Sequence, residues 1–194
     1  MIRVISVLVL GAALSGCVSL GGKPPESLLS LSAAAQVAAN DSRTAQAGEA
    51  ITIHVPVVPQ ALASNRVLVT SGPTAIAYVK DAVWAEPPAR LFQRVVSETV
   101  AARTGRVVLD VRQLALDQGM QVTGTLSAFG IDPDAGQAVV TYDAAMTADH
   151  GRTVRTRRFE ARVPVREIKP DPVGRALNAA TNKVAEDVAG WIAG

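Results

Sequence analysis

Few residues in this chain have types and spacings that suit them to chemistry, and the first is Cys17. It is the sole cysteine among 194 residues, so it closes no disulfide framework and builds no thiolate metal site. Nothing in the sequence around it would lower its pKa toward that of a catalytic nucleophile. What remains for this sulfur is covalent modification. The two histidines, His54 and His150, fall in separate strand and turn contexts. Neither has a carboxylate or another histidine at metal-ligand spacing, and both read as surface residues. Asp132-Pro133-Asp134 places carboxylates in a turn but lacks the remaining oxygen ligands of a calcium loop. There is no G-x-S-x-G elbow and no glycine-rich phosphate loop between a strand and a helix. The sequence therefore names no catalytic residue, metal ligand or cofactor, and the chain reads as a protein that is not an enzyme.

The setting of Cys17 gives its chemistry a direction. Met1-Ile2-Arg3 carries one positive charge, Val4 to Leu14 carries none, and Ser15-Gly16 are small. That is the layout of a secretory signal over residues 1–16. The apolar run falls short of the ~20 residues a membrane span needs. Leu14-Ser15-Gly16-Cys17 resembles the lipobox of bacterial lipoproteins, in which the cysteine is acylated, palmitate included, and becomes the first mature residue. The resemblance implies lipid attachment at Cys17, and more than one acyl chain gives stable membrane anchoring. Residue 18 is valine rather than aspartate. By resemblance to the sorting rule of enteric bacteria, this favours the outer membrane, with the domain facing the periplasm.

Composition narrows the partners. Lysine plus arginine number 19 and aspartate plus glutamate 17, a formal net charge of +2, so the chain carries no strong basic excess. Aromatics make up only 4%, which gives few stacking platforms for single-stranded nucleic acid. The one concentrated basic run is Arg152, Arg155, Arg157, Arg158 and Arg162. It reads as the solvated face of strands rather than as a phosphate or lipid-headgroup site.

These residues must be positioned by a single folded unit. Residues 17–49 are rich in Gly, Pro, Ser and Ala and read as a lipidated N-terminus and flexible linker, because such a stretch buries too little apolar surface to repay its ordering. A linker of this length would lift the domain several nanometres from the bilayer, at up to about 3.3 Å per residue. Within it, Ser27 to Leu31 could form a short edge strand. Residues 50–194 form one domain. Ile51, Ile53, Val55 and Val57 alternate with Thr52, His54 and Pro56, a strand ending at a sheet edge by Pro56 and Pro59. Arg66 to Thr70 and Ala75 to Ala85 follow as strands around Ser71-Gly72-Pro73.

The pattern then changes period. Leu91, Phe92, Val95, Val96 and Val100 give a helix over Ala89 to Thr104, with Gly105 as its C′ residue. Arg106 to Arg112 and Met120 to Phe129 read as strands, with a turn at Gly130 to Gly136. Ala138 to Ala148 and Thr153 to Val165 complete a meander around Asp149-His150-Gly151. Asp171-Pro172 opens a final helix whose stripe is Val173, Leu177, Ala180, Val184, Val188 and Trp191. The expected fold is α+β, with two helices on one face of a largely antiparallel sheet in two layers.

One corner stands out. Trp84-Ala85-Glu86-Pro87-Pro88 joins a strand to a helix. Either the indole packs in the core and Glu86 favours the helix N-terminus, or the corner faces a partner. Trp84, Glu86, Pro87 and Pro88 are thus candidate docking residues. Ile51-x-Ile53-x-Val55-Pro56-x-x-Pro59-x-x-Leu62, then Arg66-Val67-Leu68-Val69, then this corner and its helix, together resemble the ABC-type transport auxiliary lipoproteins, the PqiC/YmbA-like family. The similarity covers roughly residues 27–194, and the tryptophan, acid and proline run is its most specific part. Ala63-Ser64-Asn65-Arg66 keeps the family's arginine but lacks its aspartate, and Pro88 stands where leucine is common.

The resemblance implies a non-catalytic docking component of an intermembrane lipid transport system built on an MCE-domain protein and an ABC-type transporter. Its implied partners are that MCE-domain protein, the outer membrane, a phospholipid and further copies of itself, with no nucleic acid. Rival readings are an assembly lipoprotein of another envelope machine, such as lipopolysaccharide export, and a periplasmic hydrolase.

Overall fold

The computed structural model describes residues 27–113, 119–148 and 151–194. Cys17, the signal-like segment and His150 lie outside the described residues. One long strand organises the rest. β5 (Met120–Asp132) pairs along one whole edge with β6 (Gln137–Ala148), which pairs in turn with β7 (Thr153–Pro164), all antiparallel. The opposite edge of β5 is shared. At its start it takes β1 (Ile51–Ile53) in parallel, and near its end it takes β2 (Arg66–Ser71), also in parallel. β1 then pairs with β4 (Val108–Leu109) in parallel, and β2 forms an antiparallel hairpin with β3 (Ala75–Val83). The sheet is therefore mixed and forked: its long hairpins are antiparallel, as expected, but β1 has only parallel neighbours.

Two helices cover one face. α1 (Pro88–Thr104) opens with Pro88 in its first turn and closes at Gly105, whose φ of 70° places it in the left-handed region and whose N–H reaches the Ala101 carbonyl. α2 (Pro170–Ala193) buries Val173, Leu177, Ala180, Val184, Val188 and Trp191, the stripe the sequence predicts. Phe92 of α1 meets Tyr142 at 5.0 Å between ring centroids, and Trp191 of α2 meets Phe159 at 5.5 Å. Tyr142 and Phe159 are register partners on β6 and β7, so both helices pack on the same face. A register shift between Leu126 and Ala128 inserts one residue into β5. This bulge keeps Val122, Leu126, Phe129 and Ile131 all inside. The α+β two-layer expectation holds.

Several boundaries moved. β1 stops at Ile53 because Pro56 cannot continue the ladder, although Val57 resumes an isolated parallel bridge to Thr125. The strand expected over Arg106 to Arg112 shrinks to Val108–Leu109. The Asp110 carboxylate turns the chain there by accepting from the Arg112 backbone, and a short 3-10 turn over Val111–Gln113 follows. Gly130, Ile131 and Asp132 belong to β5 rather than to the loop, which leaves a tighter turn capped by Asp132.

The largest departure concerns the expected linker. From Ser27 onward it is a strap laid over both helices. Leu29 bridges to Trp84 in parallel, donating to the Val83 carbonyl and accepting from the Ala85 N–H. Ser32 and Ala34 donate backbone N–H groups to Asn178 and Asn182 of α2. Val37 donates to Glu98, and Arg43 donates to the Ala101 carbonyl at the end of α1. Leu31 is buried. The composition forecast freedom because the segment buries little on its own. The finished helices supply the polar partners that its backbone lacks.

Candidate functional site

The corner at the start of α1 separates into inward and outward parts. Trp84 is 1% exposed and stacks obliquely on Phe129 at 5.4 Å. Its backbone N–H donates to the Asn65 carbonyl. Trp84 therefore holds the β3-to-α1 corner from inside and offers no surface to a partner. Pro88 is buried as well, whereas Ala85 and Pro87 are exposed and Glu86 is half-buried. Of the four docking residues read from the sequence, only Glu86 and Pro87 remain on the surface. The reason is geometric: a strand entering a helix needs one large side chain to fill the angle, and the tryptophan is the largest available.

Glu86 accepts from Arg94 at 2.6 Å, one helix face further on. This pair forms the rim of a groove of about 640 Å³ between α1 and the β4 segment. Its floor takes in Val55, Gln93 and Val108, and its sides carry Arg90, Asp110 and Arg112. Gln93 donates to the Ile53 carbonyl and to Ser97, which fixes α1 against β1. The hydrogen bond from Arg112, and its charge, hold the Asp110 carboxyl below its usual range. Val55 and Val111, which line the groove, are large apolar side chains left exposed. The groove thus combines apolar patches with cations and carboxylates, which suits a protein surface more than a small polar substrate.

The sequence missed this groove because Arg106 to Arg112 reads as one continuous strand, whereas the chain turns after Leu109 and that turn builds the wall facing α1. The signal that could have found it was Val55, an apolar side chain left exposed beside Pro56 where the first strand ends. His54, on the polar side of that strand, is half-buried, and its Nε2 lies 2.7 Å from Gln121 Oε1. It is a sheet-face histidine with a partner, not a free surface group.

A second hollow, about 770 Å³, opens between the β2–β3 and β5–β6 turns, over Leu68, Ala128, Gly130 and Val139. Asp134 closes its mouth by accepting from Ser71 and the Gly72 N–H. The arginine run lies on β7. Arg158 pairs with Asp143 across the sheet, and Arg162 with Glu160. Those ion pairs hold both carboxyls below their usual range. Among the described residues no group of three His, Cys, Asp or Glu side chains converges on a metal position. No described helix is long and apolar enough to cross a membrane.

Comparison with known proteins adds to this geometry. A family model described as ABC-type transport auxiliary lipoprotein component matches residues 29–189, a span that includes the strap from Leu29. No curated protein matches the chain. Among solved structures, protein XCC0632 from Xanthomonas campestris, of the DUF330 family, is 18% identical with a TM-score of 0.66, covering 86% of this chain and 94% of its own. A second crystal structure, described only as an uncharacterized protein, is 14% identical with a TM-score of 0.65 and covers 78% and 96%. Likenesses at these identities bear on the fold.

Proposed function

Because this chain belongs to the family of ABC-type transport auxiliary lipoprotein components, we propose that it is a lipid-anchored docking subunit of an intermembrane lipid transport system. The family's role is auxiliary and non-catalytic, beside an ABC-type transporter. In our reading acylated Cys17 holds the protein on the periplasmic face of the outer membrane, and the domain engages an MCE-domain protein. The groove beside Glu86 and Arg94 is the docking surface. The observation that carries this is the family match over most of the chain, joined to a surface groove of mixed apolar and charged character where the family's most specific run ends.

The test is crosslinking of the lipidated protein in intact cells, followed by purification from envelopes and identification of partners by mass spectrometry. Recovery of an MCE-domain protein, lost on Cys17→Ser, supports the reading. Recovery of a different envelope complex without an MCE-domain protein overturns it.

A further inference from the structure

β7 is a sheet edge. It pairs with β6 on one side, and among the described residues no strand pairs with its other side. The strand is long, Thr153–Pro164, and every residue from Thr153 to Arg158 is exposed. From Val154 onward this edge presents a row of outward backbone N–H and C=O groups that no described strand pairs, and proteins guard such edges with charge. Here the guard is uneven. Arg158 and Arg162 are neutralised by Asp143, Glu160 and Asp132. Arg155 and Arg157 have no carboxylate within ion-pair distance among the described residues. They lie instead over aromatic rings: Arg155 5.6 Å from the Trp191 centroid and Arg157 5.1 Å from that of Phe159. Each ring holds its guanidinium in place without cancelling its charge.

Positions 155 and 157 are two apart, so both side chains point to the helix side of the sheet, about 6.7 Å from each other along the strand. Between and beside them, Thr156 and Val154 point to the opposite face, where Val154 is 61% exposed. A strand added at this edge would place its own side chains opposite these, about 5 Å away. We propose that the β7 edge receives an extended acidic segment of a protein partner, with acid–apolar–acid spacing, by addition as a further strand. The acids meet Arg155 and Arg157, and the apolar residue between them lies on the side of Val154. Backbone bonds supply the affinity and the two arginines the selection. A second copy of this same edge is a poor occupant, because it would bring four uncompensated cations together.

The edge favours protein over lipid. A bilayer surface could meet the two guanidinium groups, but it offers no regular row of N–H and C=O groups to pair with the open backbone of β7.

The experiment uses the full chain in detergent and a fluorescent peptide of four Glu-Val repeats. Two controls have the same length: four Lys-Val repeats, and a Glu-Val peptide with proline at two central positions. Saturable binding of the Glu-Val peptide is expected, weakened about tenfold or more by Arg155→Gln with Arg157→Gln, together with new amide-exchange protection at alternate residues of 153–164. Glutamine keeps the strand uncharged and soluble, and an unchanged thermal melt shows that it folds. Equal binding of the proline peptide, or binding that ignores the double substitution, overturns the proposal. So does binding of anionic phosphatidylglycerol vesicles through these arginines with none of the Glu-Val peptide. Failure here leaves the envelope crosslinking result untouched.

Discussion

Gly174 lies directly under Leu29: a Cβ at position 174 would come within 2.9 Å of the leucine Cδ2. The missing side chain in α2 is the seat on which the strap rests. Gly174→Leu removes the seat while improving the helix, since glycine costs about 1 kcal/mol in a helix interior. The strap should open more often, and proteolysis within residues 27–47 should accelerate five- to thirty-fold, the equivalent of about 1–2 kcal/mol. The melting temperature of the remainder should hold. Unchanged cleavage would mean that Leu29 is not the clasp.

Trp84 and Glu86 are neighbours with opposite consequences. Trp84→Ala empties a fully buried site between β3 and Phe129 and should cost about 3–5 kcal/mol in urea unfolding. Glu86→Arg breaks a half-exposed pair with Arg94 and should shift stability by less than about 1 kcal/mol. Capture of the transport partner should nonetheless fall with Glu86→Arg, and recover when Arg94→Glu restores the pair with reversed polarity. Full capture by Glu86→Arg alone would remove the groove from the docking surface.

Gly124 is required by the ring opposite it. A Cβ there would sit 2.3 Å from the Asp143 carbonyl oxygen and 2.6 Å from Tyr142 Cε2. Gly124→Ala, small as it is, should therefore destabilise by about 1–3 kcal/mol, read as a lower denaturant midpoint at unchanged slope.

Tyr142 itself sets an alkaline limit. Burial pushes its phenol well above the ordinary value of 10.0. The unfolded chain can release this proton above about pH 10 while the folded one keeps it, so the unfolded state gains as pH rises. Stability from this group is complete below pH 10 and lost progressively above it. Tyr142→Phe should flatten that alkaline decline and leave the neutral-pH melt lower by about 1 kcal/mol, for the lost bond to the Thr123 carbonyl. An identical alkaline profile for the two proteins would assign the decline to other groups.

The local code of the chain carried the two helices, the long hairpins and the buried stripe of α2, because periodicity and the proline and glycine boundaries are written in neighbouring residues. The forked sheet was not legible: nothing within Ile51–Ile53 says that both of its neighbours run parallel to it. The strap was misread for a similar reason. Its partners, Asn178, Asn182 and Glu98, sit far along the chain, and their amide and carboxylate groups read as ordinary solvated helix faces. At the corner, sequence alone left Trp84 open between core and partner. Burial decides it, and only Glu86 and Pro87 remain outside.

The strap also has a mechanical meaning. Its contacts follow α2 in order, Leu29 at Gly174, Ser32 at Asn178 and Ala34 at Asn182, before crossing to α1 at Val37 and Arg43. A pull on the N-terminal end, directed away from the surface, loads these fastenings one after another, not all together. Each release pays out about 3.3 Å of chain per residue while the sheet and helices stay whole. The domain can give way by small steps under tension, like a seam opening stitch by stitch, and reseat when the load is removed.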